Sequence, residues 1–167
     1  MSHFRYIDDM LHAEGVCLHK IAEEVGTPFY VYSTKALQSH YKILQKAFED
    51  KKHLICFSVK AASNQAILTT LQQLGAGMDV VSGGEYRRAI SAGVDPSKII
   101  FSGVGKTLEE MELIVERGVR QVNIESEQEL ELLSEVALSK GSVIPITIRV
   151  NPDVDAKTHE KISTGKA

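Results

Sequence analysis

From about residue 53 onward, short apolar runs alternate with longer stretches in which apolar positions recur every three or four residues. The first run is His53–Val59; Ile67, Leu68, Leu71 and Leu74 then fall at helical spacing, and Gly75 closes the helix. The second strand is Met78–Val81, with a helix opened by Ser82 and Glu85 and stopped by Gly93. The third is Lys98–Phe101; its helix is opened by Thr107 and Glu110, buries Leu108, Met111, Ile114 and Val115, and stops at Gly118. The fourth is Gln121–Ile124, with Ser126 and Glu129 at the helix start and Gly141 at its end, and the fifth is Ile144–Val150. Each Ser/Thr-x-x-Glu pair predicts a capping box, in which side chains satisfy the free N–H groups of a first turn. The strands read as continuous apolar runs, the pattern expected where helices cover a parallel sheet. Alternating strands and helices of this kind predict an α/β protein with right-handed crossovers.

The first 34 residues follow a different pattern. They predict a weak strand over Phe4–Ile7 and a short helix carrying Leu18, Ile21, Ala22 and Val25. Gly26-Thr27-Pro28 breaks that helix ahead of a strand over Phe29–Tyr32. A helix then runs from Thr34 to Phe48 with Leu37, Tyr41, Leu44 and Phe48 on one face. The expected division is therefore a lead-in segment, 1–34, and a strand–helix unit, 35–167. Five strands do not close a barrel, which takes eight strands and roughly 250 residues. The last strand runs into Asn151-Pro152-Asp153 and a polar stretch to Lys166-Ala167, so the pattern predicts the first part of a (β/α)8 barrel.

Composition narrows the function classes. A net charge of −3, 6% aromatic residues and no Trp give neither a basic field nor a stacking surface for nucleic acid. No apolar stretch approaches the roughly 18 residues of a membrane helix, and acids follow the first residues where a signal peptide would be apolar. Two cysteines, Cys17 and Cys56, are too few for a disulfide framework, and Cys56 reads as a small buried thiol. These features fit a cytoplasmic protein.

Three residues carry candidate chemistry. Lys60 directly follows an apolar strand, and in a barrel the residue after a strand faces the catalytic end. An amine above a desolvated floor is a good nucleophile toward an aldehyde, although a solvated lysine is the plainer reading of position alone. Asp79 interrupts an apolar strand and needs a partner there, either the Lys60 amine, another cation, or structural donors. Arg149, in the fifth strand, requires an anion or acceptor, and a bound ring, Asp79 or a plain salt bridge would satisfy it. Gly103-Val104-Gly105-Lys106-Thr107 imitates a phosphate-binding P-loop, but Ile100 stands where that motif needs glycine, so a capped turn is expected. His12, His19, His40, His53 and His159 show no metal-ligand spacing, and no metal is expected.

Taken in order, Cys56-Phe57-Ser58-Val59-Lys60-Ala61, Asp79-Val80-Val81-Ser82-Gly83-Gly84-Glu85, Phe101-Ser102-Gly103-Val104-Gly105-Lys106-Thr107, Asn123-Ile124-Glu125-Ser126-Glu127 and the stretch Arg149–His159 with Ile162–Gly165 resemble the fold-type III decarboxylases that use pyridoxal 5'-phosphate. The resemblance runs along essentially the whole chain and is strongest to the branch acting on meso-diaminopimelate to give lysine. It implies a partial barrel of the alanine racemase kind, about five strands long, with a C-terminal β domain that the lead-in segment would join. It also implies Lys60 as the catalytic and cofactor-holding lysine, Asp79 and Arg149 beside the cofactor, a small amino-acid substrate and a homodimer. Branches acting on arginine, ornithine or carboxynorspermidine, and non-catalytic barrels that only bind a partner, are the alternatives. Two positions depart from the family: Ala62 stands where an asparagine is usual, and Met78 where a phenylalanine is. The family's ring-stacking histidine, glycine-rich phosphate loop and ring-nitrogen glutamate would all lie beyond Ala167.

Overall fold

The computed structural model describes residues 3–152. The polar stretch that closes the sequence, with His159, lies outside the described residues. The chain opens with strands β1 (Phe4–Ile7), β2 (Met10–Ala13) and β3 (Val16–Cys17), which form a small antiparallel sheet. Helix α1 (Leu18–Val25) follows and buries none of its residues. Residues 29–32, expected as a strand, form no regular element. Tyr30 and Tyr32 are exposed, so neither sheet offers that segment a partner. The antiparallel sheet is tied to helix α2 (Thr34–Ala47) instead. Glu14 Oε1 accepts from the Ser33 hydroxyl at 2.7 Å and from the Lys35 amide at 3.0 Å, and His3 bonds the Ser39 hydroxyl. Of the predicted apolar face of α2, Tyr41 is buried and Leu37 packs on the core, while Leu44 and Phe48 are exposed.

The remaining elements alternate: β4 (Cys56–Ser58), α3 (Gln65–Gln73), β5 (Gly77–Val80), α4 (Gly83–Ser91), β6 (Ile99–Phe101), α5 (Leu108–Arg117), β7 (Gln121–Ile124), α6 (Glu127–Ser139) and β8 (Ile146–Ile148). The five strands pair in sequence order, all parallel, as the strand–helix alternation predicts. They are shorter than the apolar runs suggested, since β4 occupies three residues of His53–Val59 and Val59–Ala61 turn into a single 3-10 turn.

The two faces of this sheet differ. Register places Met78, Ile99 and Val80, Phe101, Val122, Ile124 on the helix-covered face, where all six are buried. They pack with Leu68, Leu71, Tyr86, Met111, Ile114 and Leu133 from the helices, and this is the core. The opposite face carries Cys56, Ser58, Asp79, Ile100, Gln121 and Asn123, all half-buried. The strands therefore alternate apolar-out and largely polar-in, and the continuous apolar pattern read from the sequence is corrected. Gly-Met-Asp-Val in β5 and Gln-Val-Asn-Ile in β7 carry the alternation openly. Leu108, expected in the core, is half exposed at the first turn of α5.

Helix starts are capped as predicted, with one difference. Ser82, Thr107 and Ser126 each accept from the amide three residues on. The reciprocal half of the box closes only at Thr107, where Glu110 accepts from the Thr107 amide at 3.0 Å. Glu85 and Glu129 reach one residue further back, to the amides of Val81 and Glu125. Gly103 holds φ +96, and a Cβ there would sit 3.2 Å from Val81, so this turn requires glycine.

Candidate active site

Because the strands are parallel, their carboxyl ends share one rim. Lys60 follows β4, Ser102 follows β6, Glu125 follows β7 and Arg149 follows β8, while Asp79 sits one residue from the end of β5. The structure thus gathers Lys60, Asp79 and Arg149 at the same end of the sheet. It does not pair them with one another.

Asp79 is held by hydroxyl groups. Its Oδ2 accepts from Ser58 at 3.1 Å, across the β4–β5 register, and its Oδ1 accepts from Ser102. Ser102 in turn accepts from the Asn123 amide nitrogen at 2.9 Å, and Asn123 Oδ1 accepts from Gln121 Nε2 at 3.0 Å. Four strands are thereby linked across the inner face. Of the partners weighed for Asp79, the structural donors are the ones it meets. Arg149 meets a different anion: its Nη1 lies 3.0 and 3.2 Å from the Glu125 carboxylate oxygens. Lys60, exposed in the turn after β4, forms no hydrogen bond or ion pair among the described residues.

Lys106 is the buried cation of this end. Its ammonium donates to the carbonyls of Gly103 at 2.8 Å and Asn123 at 2.7 Å, and pairs with Glu129 at 3.0 Å. The side chains of that pair are 1% and 6% exposed, so the lysine of the P-loop imitation points inward as a structural brace and the expected capped turn is what forms. Cys56, on the inner face, is half-buried rather than buried, and loss of solvent pushes its thiol pKa up. Among the described residues, no three His, Cys, Asp or Glu side chains gather as a metal site. No described helix is long and apolar enough to cross a membrane. A cleft of about 710 Å³ beside Tyr86, Arg87, Ile90 and Arg117 lies on the helix side and shares no residue with the rim.

Sequence reasoning gives Ser58, Ser102, Gln121 and Asn123 no role at the site, and Glu129 only that of a helix cap. The signal for the first four was their shared parity with Asp79, visible once polar residues at alternate strand positions are counted as one face.

Residues 34–167 match the model of the pyridoxal-dependent decarboxylase family, pyridoxal binding domain. The chain belongs to this family. Diaminopimelate decarboxylase of Pseudomonas aeruginosa is 51% identical to it over 165 residues, 99% of this chain and 40% of the relative. The Vibrio cholerae diaminopimelate decarboxylase is 50% identical over 166 residues, again 40% of its length. The chain thus spans about 40% of the curated relatives it matches. Among solved structures, diaminopimelate decarboxylase of Helicobacter pylori complexed with L-lysine superposes with a TM-score of 0.84 at 41% identity, over 89% of this chain and 38% of that one. The enzyme from M. jannaschii in co-complex with L-lysine gives 0.88 at 36% identity, over 99% and 39%. The five-strand unit is therefore part of the fold these decarboxylases share, and this pyridoxal-family chain carries its Lys60 at the rim of that unit.

Proposed function

We propose that this chain is the N-terminal part of a decarboxylase that converts meso-diaminopimelate to L-lysine and carbon dioxide with pyridoxal phosphate. The reading is carried by identity at about half of the aligned positions to diaminopimelate decarboxylases along 99% of the chain. The site residues fit the cofactor: a primary amine with no partner among the described residues stands at the strand rim beside a polar inner face. Lys60 would hold the cofactor covalently, Asp79 would present a fixed carboxylate beside it, and Arg149 would bring its guanidinium from the β8 end. When bound, the cofactor supplies an electron sink for the carbanion left by carbon dioxide. The chain's own work is to orient: Ser58 and Ser102 fix Asp79, and Glu125 fixes Arg149. Residues 1–34 would join a C-terminal β domain, the whole enzyme would be a cytoplasmic homodimer, and neither nucleic acid nor a membrane would be a partner.

The test is borohydride reduction of the full-length, cofactor-loaded protein followed by peptide mass spectrometry. The pyridoxyl label is expected on Lys60. Lys60→Ala should lose the label and the decarboxylation while keeping a wild-type melting curve, because an exposed side chain contributes little packing. A label on another lysine would refute the assignment, and a preference for arginine or ornithine over diaminopimelate would refute the substrate.

A further inference from the structure

The hydrogen bonds of the inner face share one direction. Gln121 donates to the carbonyl oxygen of the Asn123 side chain, which orients that amide with its nitrogen toward Ser102. The Asn123 nitrogen then occupies the Ser102 hydroxyl as an acceptor, and the hydroxyl proton is left for Asp79. Ser58 donates from the other side, so each carboxylate oxygen receives one hydroxyl. A carboxylate has roughly four acceptor positions, and two are taken among the described residues. Chains of donors aligned this way polarise and strengthen one another.

The backbone behind the chain is braced as well. The single buried ammonium of Lys106 holds the carbonyl of Asn123 and that of Gly103, the neighbour of Ser102. Asn123 and the neighbour of Ser102 are thus held by one cation. Inward positions of a small barrel are ordinarily filled by bulky apolar side chains. Here Ser58, Asp79, Ser102 and Asn123 take that face on successive strands, and the chain of bonds ends on the carboxylate nearest the strand that leads into Lys60.

We propose that Ser102 and Asn123 are positioning residues for the reaction at this site: they hold the Asp79 carboxylate in one orientation beside the strand end that carries Lys60. This rests on the decarboxylase reading above. Neither residue touches the reacting atoms; both act through Asp79.

The experiment uses the full-length, cofactor-loaded enzyme with diaminopimelate as substrate. Ser102→Ala is expected to lower kcat roughly ten-fold, the effect of losing one hydrogen bond to a charged group, with KM nearly unchanged. The absorbance band of the bound cofactor should shift in the resting enzyme, before any substrate is added. Ser102→Thr, which keeps the hydroxyl, should restore both. In an Asp79→Ala background (used in place of Asp79→Asn, whose amide oxygen would still accept from Ser102) the same Ser102→Ala change should have almost no further effect, because residues acting as a unit are not additive. Asn123→Asp replaces the donating nitrogen by an oxygen at constant shape and should reproduce the Ser102→Ala phenotype, which covers the case in which that variant folds poorly. Wild-type kcat and an unmoved band in both variants, or a full ten-fold loss in the Asp79→Ala background, would overturn the inference while the decarboxylase reading stands. A wild-type protein that takes no pyridoxyl label on Lys60 would overturn both.

Discussion

At the scale of single residues, Lys106 shows how a buried charge is made tolerable. An ammonium has three donors, and here all three find acceptors: two carbonyls and the Glu129 carboxylate. Removing it leaves Glu129 buried without its cation while the two carbonyls lose their donor. Lys106→Met is therefore expected to destabilise the protein by about 3–5 kcal/mol, read as a lowered urea midpoint. Lys106→Met combined with Glu129→Gln should recover part of that loss, since no buried charge is then left over. An unchanged midpoint in Lys106→Met would show that water reaches the pair. The sequence concealed this role because Glu129 lies 23 positions away, in the next strand–helix unit, and such a pairing leaves no local period. The Asp79 network was hidden for a related reason. Ser58, Ser102 and Asn123 are common residue types in strands; alternation marks a polar face within a strand, and the register brings those faces together.

At the scale of elements, the order of strands and helices was legible from residue 34 onward. Helical spacing, Ser/Thr caps and terminal glycines are all short-range signals, and the helix starts expected at Ser82, Thr107 and Ser126 are the starts observed. Less legible was how each glutamate is used. Glu110 closes its own box and also accepts from the Gly83 amide at 2.8 Å, so one carboxylate joins the first turns of α4 and α5. Desolvation raises its pKa, but the amides of Thr107 and Gly83 and the nearby Lys106 charge outweigh that, and the carboxyl titrates below the ordinary value of 4.5. A lowered folded-state pKa contributes stability above the ordinary glutamate range and loses it as pH falls through the folded value. Glu110→Gln should thus be less stable than wild type at neutral pH, and the gap should narrow as the medium is taken down through about pH 4. Urea unfolding at both pH values measures this, and a gap independent of pH would show that the charge of Glu110 has no part in joining the helices.

At the scale of the whole molecule, the described sheet has two open edges, β4 and β8. Ile146 and Ile148 on β8 are 41% and 65% exposed, and Val150 beyond them is 74% exposed. An unpaired strand with apolar side chains is a template for further pairing. A polypeptide of residues 1–167 is therefore expected to self-associate, as detected by light scattering, and to bind pyridoxal phosphate weakly. A monodisperse monomer that binds the cofactor tightly and stoichiometrically would show that this unit is self-sufficient. The five-stranded parallel α/β sheet was readable in the sequence from the strand–helix alternation, and its place in a barrel from the resemblance to the family. The chemical difference between the two faces was not, because β4 and β6 carry apolar residues on both and mask the alternation that β5 and β7 display.

That difference bears on how the protein is made. The apolar mass lies between strands and helices, and the inner face is satisfied by its own hydrogen bonds. Each strand–helix unit can thus collapse onto its predecessor as it leaves the ribosome, without waiting for a ring to form. Synthesis proceeds at about 5–20 residues per second and domains generally form as units from the N-terminal side. The nascent chain would then hold a finished core with two unsatisfied borders, β4 and β8, which makes the apolar β8 border a place for a chaperone to guard.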